Sequence, residues 1–337
     1  MTLSTLEFER PIRDLEDKRE QLLQLAQEHG IDVARELDSL NSKLADLKRT
    51  VYANLTPWQS VQLARHPSRP QTQDYINRII TDWQELHGDR HFADDEAMIT
   101  GLGKLEGRKI AVIGQQKGQD AIERVRRNFG MPHPEGYRKA LRVMKLAGRF
   151  GIPILCLIDT AGAYPGVGAE ERHVAEAIAV NLREMFTLPV PIVAVVIGEG
   201  GSGGALGIGV ADRVLMLQYA YYSVISPEGC AAILWKDRAF APDAAAALKM
   251  TAPDLLKLGV ADEIVPEPLE GAHRDPDATA QEVQQAVARC FNQLSEYSPE
   301  QLQATRYEHF RRMGKFSVKS QPAAEDKPQG VEDKGVH

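Results

Sequence analysis

The first fifty residues are densely charged, with leucines thinly spread at Leu15, Leu22, Leu23, Leu25, Leu37, Leu40, Leu44 and Leu47. So narrow an apolar stripe predicts two helices, broken at His29-Gly30, that pack as a hairpin on something else. Three prolines in LTPWQSVQLARHPSRPQT (55–72) predict a linker. From Thr72 onward, Tyr75, Ile76, Ile79, Ile80, Trp83 and Leu86 share one helical face, which predicts a helix reaching past residue 83. AMITGLGKLEGRKIAVIGQQ reads as two strands joined by Glu106-Gly107, a hairpin. A helix is expected from Pro134, a residue tolerated in the first helical turn.

Beyond that helix the pattern changes to alternating strand and helix. IPILCLID (152–159) and VPIVAVVIG (190–198) are unbroken apolar runs, as strands buried on both faces require. Each is preceded by proline and followed by a small-residue turn, about forty residues apart, which suggests a repeated strand–turn–helix unit. AEERHVAEAIAVNLREMFTL reads as a helix and RVLMLQY as a third strand. EGCAAILWK and APDAAAALKMTAPDLLKLG read as helices, and ADEIVPEP as a last strand. Two helices, roughly 278–297 and 299–312, close the fold. The expected organisation is a helical segment with linker (1–71), a main α/β domain (72–315) and a polar, disordered tail (316–337).

The second apolar run ends in IGEGGSGGALGIG (197–209), where seven of thirteen residues are glycine. Gly198, Gly200 and Gly203 match a dinucleotide fingerprint, but the following strand ends in Gln218-Tyr219 instead of the acidic residue a ribose needs. Gly200, Ser202 and Gly204 match a nucleophile elbow, which wants a later acid and then a histidine. Of the later histidines, only His273 lies clear of the chain's end, in a polar loop. The third reading is an oxyanion site of bare backbone amides, aided by the dipole of a helix in GGALGIGVAD. The same glycines would also serve tight helix–strand packing alone. DTAGAYPGVGAEERH follows the other buried strand with a matching set of small residues, so the two turns can line one cleft.

Composition narrows the field. A chain of 337 residues with a net charge of −7 gives no support to general binding of nucleic acid or anionic membrane. Cys156, Cys230 and Cys290 are far apart, which excludes a zinc ribbon and a disulfide framework and fits a reducing compartment. The N-terminus has no apolar signal core, and no run nears the ~20 apolar residues of a membrane span. A cytoplasmic protein is expected. Arg124, Arg126, Arg127, Arg138, Lys139 and Arg142 form a basic stretch, suited to a coenzyme A phosphate, an acidic surface, or simply a solvated face.

Three stretches carry a family resemblance: FGMPHPEGYRKALRVMKLAGRFGIPILCLIDTAGAYPGVGAEER, VIGEGGSGGALGIGVADRVLMLQYAYYSVISPEGCAAILWK and EPLEGAHRDP. With the opening LEFERPIRDLEDK, they closely resemble the alpha subunits of bacterial-type acetyl-CoA carboxylase carboxyltransferases, over nearly all of 1–315. The resemblance implies a crotonase-like (ClpP/crotonase) superhelix of β-β-α units with an N-terminal helical extension. It implies a transferase that moves a carboxyl group from carboxybiotin, held on a biotin carboxyl carrier protein, to acetyl-CoA. The product, malonyl-CoA, feeds fatty-acid synthesis. The implied partner is a zinc-bearing beta subunit in an α2β2 heterotetramer, with ATP used by a separate biotin carboxylase and no metal in this chain.

By resemblance, the backbone amides of Gly203, Gly204 and Ala205 form the biotin-side oxyanion hole. Gly162, Ala163, Tyr164, Pro165, Gly166, Gly200, Gly201, Pro227, Glu228 and Gly229 line the site. Gly204→Val is then expected to abolish transfer while leaving assembly intact. Family members often carry proline at position 161 and Gly-Gln at 173–174, where this chain has Ala161 and His173-Val174. His173 is expected to be an exposed residue of a first helical turn.

Overall fold

The computed structural model describes residues 6–314; the expected tail, 316–337, lies outside the described residues. Two charged helices, α1 (Arg10–His29) and α2 (Ala34–Ala53), form the predicted hairpin. Gly30, at φ 64°, ends α1 in the left-handed region where glycine costs little. Ile12, Leu44 and Tyr52 from this hairpin bury against Leu63 and Tyr219 of the main body.

The expected linker is instead structured. Thr56 and Gln59 exchange side-chain-to-backbone hydrogen bonds as a capping box, and Pro57 occupies the first turn of α3 (Pro57–Ala64). Val61, Leu63 and Ala64 are buried. Pro57 starts a helix instead of breaking one, while Pro67 and Pro70 lie in the short connection beyond it.

The helix expected from Thr72 is also shorter than predicted. α4 (Thr72–Ile79) gives way at Ile80, and Asp82 takes φ 52°. Residues beyond it form β1 (Thr81–Glu85), an edge strand antiparallel to β2 (Met98–Leu105). The helical period held only for two turns; sheet pairing decided the rest. Trp83 lies over Gly101, where a β-carbon would stand 2.5 Å from its ring.

β2 and β3 (Arg108–Gln115) form the predicted hairpin, turning at Glu106 and Gly107, both with positive φ. α5 (Ala121–Arg126) and α6 (Pro134–Arg149) follow. α6 buries Tyr137, Ala140, Val143, Met144 and Ala147, one apolar face at helical spacing. The two apolar runs become β4 (Ile154–Thr160) and β5 (Ile192–Gly201), parallel neighbours with Ile154 opposite Ile192 and every residue buried. Between them lie α7 (Val167–Glu171) and α8 (Val174–Thr187), divided at His173 (φ 64°). His173 is exposed, but it is the left-handed junction before α8, not a first-turn residue.

Next come α9 (Ser202–Leu206), β6 (Arg213–Leu217), β7 (Tyr221–Ser223) and α10 (Pro227–Leu234). They are followed by α11 (Ala241–Leu248), α12 (Ala252–Leu258), β8 (Glu263–Val265), α13 (Pro276–Leu294) and α14 (Pro299–Arg311). The eight-stranded sheet has the order β1-β2-β3-β4-β5-β6-β8, with β7 pairing to the far end of β5. Its helix-covered core matches the mixed α/β class expected. α14 is fastened by Arg306, which is wholly buried. Its guanidinium holds Asp212 at 2.7 Å and donates to the carbonyls of Met185, Leu188 and Val190.

Candidate functional site

The two small-residue turns meet at the carboxyl ends of β4 and β5. β5 runs farther than the sequence suggests: Gly198, Gly200 and Gly201 are strand residues, and Gly200 and Gly201 pair with Tyr222 and Ser223. The dinucleotide turn therefore does not exist. α9 is only five residues long, so it lends far less dipole than the longer helix expected.

Most of the glycine content reflects close approach of backbones. A β-carbon on Gly201 would stand 2.1 Å from the Ala161 carbonyl oxygen, and one on Gly204 would stand 2.3 Å from the Gly162 carbonyl carbon. Packing of the two turns against each other thus demands glycine at both places. Gly203 differs: its nearest neighbour would be Ile178, at 3.8 Å.

Gly203 and Gly204 sit in the first turn of α9, where amides lack intrahelical acceptors. Neither donates a backbone hydrogen bond outside its own helix among the described residues. Gln115 and Tyr137 both donate to the Gly204 carbonyl, at 2.9 and 3.2 Å, which fixes the following peptide plane. Gly204 and Ala205 are buried and Gly203 is half-buried. Ser202, with φ 50°, is exposed, and no hydrogen bond joins it to a histidine among the described residues. His273 instead stacks on His66 at 3.8 Å. The nucleophile-elbow reading loses its base.

The facing turn is held by the Thr160 hydroxyl, which donates to the Gly162 carbonyl (2.6 Å) and accepts from the Gly162 amide (3.1 Å). Ala163 follows directly, its amide nitrogen 2.5 Å from a β-carbon on Gly204. Tyr164 donates its amide to Pro132 and lays its ring on His133 at 4.1 Å. Gly166 lies against that same tyrosine ring, beyond Pro165. The Pro227-Glu228-Gly229 segment opens α10, and there the Gly229 amide is committed to the Ser226 hydroxyl.

Under these turns lies a charged network that no local sequence pattern announces. Lys117 lies 2.7 Å from Asp159 and 2.5 Å from Glu199, which stand near the carboxyl ends of the two strands. Asp159 also accepts the Glu199 amide at 2.9 Å, tying β4 to β5. Arg65, from the supposed linker, reaches Glu199 (2.6 Å), Glu228 (2.5 Å) and the Tyr221 hydroxyl (3.0 Å). Burial would raise the Glu199 carboxyl, but Lys117 and Arg65 outweigh it and hold it down at about 2. Arg65, Lys117, Asp159, Ala161 and Glu199 line a cavity of about 210 Å³ beside the turns.

The basic stretch is largely spent on structure. Arg126 pairs with Glu96, Arg138 with Asp89, and buried Lys139 with Asp94. No group of three His, Cys, Asp or Glu side chains among the described residues could hold a metal ion. No helix among them is long and apolar enough to cross a membrane.

Solved structures share this fold. The transcarboxylase 12S core superposes with a TM-score of 0.55 at 18% identity, covering 68% of this chain and 42% of that one. A Pseudomonas malonate decarboxylase hetero-tetramer in complex with coenzyme A superposes with a TM-score of 0.53 at 15% identity, covering 63% and 85%. Sequence relatives are much nearer. The acetyl-coenzyme A carboxylase carboxyl transferase subunit alpha of Geobacter metallireducens is 55% identical over 312 residues, covering 93% of this chain and 98% of the relative. Its counterpart in Thermus thermophilus is also 55% identical over 312 residues, covering 93% and 99%. The family model for acetyl co-enzyme A carboxylase carboxyltransferase-like proteins matches residues 5–314, and the chain belongs to that family.

Proposed function

We propose that the chain uses the backbone amides at Gly203 and Gly204 as the oxyanion-binding wall of a carboxyl-transfer site, on the side that receives biotin. The chain is the alpha subunit of an acetyl-CoA carboxylase carboxyltransferase. Biotin, when bound, supplies the carboxyl group and then a basic ureido oxygen. The protein's part is to neutralise and align that oxygen. The observation that carries the reading is the contact between the turns: Gly204 against Gly162, with Gly203 open beside them.

Amide donors aimed at a developing oxyanion are worth about 2.7–4 kcal/mol each. They need no titratable side chain, which agrees with the lack of a histidine partner for Ser202. Lys117, Asp159 and Glu199 tie the two strand ends together beneath the turns and so position the amides.

The acetyl-CoA-facing wall, on this reading, belongs to a zinc-bearing beta subunit in an α2β2 assembly. A biotin carboxyl carrier protein delivers the carboxylated cofactor, and a separate biotin carboxylase uses the ATP. A cytoplasmic location is the reading that membership in this family supports. The test is malonyl-CoA-dependent carboxylation of free biotin, with and without a beta subunit. Activity is expected only with both chains; turnover by this chain alone overturns the half-site reading. Ser202→Ala is expected to keep activity within about threefold, because removing a hydrolase's nucleophile would instead cost orders of magnitude.

A further inference from the structure

A second pocket lies on the outer side of α6 and α8, apart from the paired turns. Its volume is about 410 Å³, within the range of small-molecule sites. Leu141, Ala177 and Val180 give it an apolar floor, and Arg90 and Arg142 stand among its lining residues. We propose that this pocket binds a phosphate ester with an apolar body, such as a nucleoside diphosphate, through the guanidinium groups of Arg90 and Arg142.

Both guanidiniums converge on one carbonyl. Arg90 donates to the His87 oxygen at 2.9 Å, and Arg142 donates to the same oxygen at 3.1 Å and to Gly88 at 3.0 Å. Neither has a carboxylate partner among the described residues, because the nearby acids are taken. Asp89 accepts the amides of His91, Phe92 and Ala93 and pairs with Arg138. Asp94 binds the Gly88 amide, Lys139 and His87. Burial and the Arg90 charge both weaken Arg142's hold on its proton, which marks the two cations as close and mutually repelling.

Arg90 and Arg142 stand together with no direct carboxylate contact among the described residues, since Asp89 and Asp94, which lie near enough to act on Arg142, are bonded elsewhere; a doubly charged oxyanion would relieve their repulsion. Guanidinium forks match phosphate oxygens in bidentate fashion, which favours phosphate over a lone carboxylate. Inorganic phosphate alone would leave most of the volume and the apolar floor unused. Glu176, the exposed acid on the rim, offers an acceptor to a ligand hydroxyl or amino group. The inner wall is rigid: Asn181 donates to the carbonyls of Tyr137 and Gly207, at 3.1 and 3.0 Å.

The experiment is calorimetric titration of the full chain, bound to its beta subunit, with ADP, coenzyme A and inorganic phosphate. ADP is expected to bind in the submillimolar range, more weakly as salt rises, and inorganic phosphate at least tenfold more weakly. Arg90→Gln and Arg142→Gln are each expected to weaken ADP at least tenfold. Arg90 is exposed, so its variant keeps the fold even if loss of Arg142 loosens the loop at 87–88. Competition between coenzyme A and ADP at this pocket would identify the substrate's own nucleotide end as the source. Independent binding would identify a free nucleotide, and either result supports the site. ADP binding that is absent at 10 mM, or unchanged in both variants, overturns it. So does a finding that these arginines bind only an acidic protein.

Discussion

Gly204 and Gly162 approach so closely that a single added methyl group would stand 2.3 Å from the Gly162 carbonyl carbon. That contact joins the turn after β5 to the turn after β4, and it corrects the expectation that Gly204→Val would spare the assembly. Even Gly204→Ala is expected to lower the melting temperature, because rigid backbone cannot yield as a side-chain tip would. Gly203→Val, with 3.8 Å of clearance, is expected to keep the melting temperature while reducing carboxyl transfer at least tenfold. Thermal denaturation and the biotin assay, run on both variants, check this. A stable Gly203→Val enzyme with full activity sinks the oxyanion assignment.

Removing Lys117 deprives buried Asp159 of its ion-pair partner, while Glu199 keeps Arg65. Lys117→Met is therefore expected to destabilise the chain by about 3–5 kcal/mol, the usual cost of breaking a buried pair from one side. Urea unfolding would measure it. Loss below 1 kcal/mol would mean that water or another cation reaches Asp159.

His173 occupies a left-handed position, at φ 64°, that a β-carbon disfavours by about 1–2 kcal/mol. A glycine at this position, as the family resemblance implies, would relieve that cost. His173→Gly is expected to raise stability by up to about 1 kcal/mol, less than the full strain because glycine also loosens the unfolded chain. Transfer activity should remain, as the imidazole is exposed and has no role in the proposed chemistry.

Burial, the stacked His66 and two neighbouring arginines press the His273 pKa down to about 3. The folded chain thus keeps this ring neutral while the unfolded chain protonates it near 6.5. Its contribution to stability is fully present above pH 6.5 and is lost as pH falls from there toward 3. His273→Gln is expected to flatten the stability curve in that window, measured by melting temperature at stepped pH.

Much of the fold was legible because the core strands advertise themselves. β4 and β5 are continuous apolar runs, and a strand buried on both faces permits little else. The turn glycines were legible too, though their meaning was divided: Gly201 and Gly204 serve close packing, while Gly203 stands open. The charged network was not legible. Arg65 and Glu199 are separated by 134 positions, and no local period connects a linker-like arginine to a strand end. α3 is hidden because Pro57, Pro67 and Pro70 read as breakers, although Thr56 and Gln59 spell a capping box. β1 was missed because Trp83 and Leu86 continue a helical spacing by coincidence, while pairing with β2 sets the backbone.

Arg306 comes within the last helix of the described fold, yet it neutralises Asp212 and satisfies three carbonyls near the sheet. During synthesis the central strands leave the ribosome long before that guanidinium does. Until it emerges, Asp212 lacks that cation and the three carbonyls lack their donor, so this corner of the core depends on a residue made late. A premature stop ahead of α14 would leave every strand of the sheet intact and still deny the domain its latch.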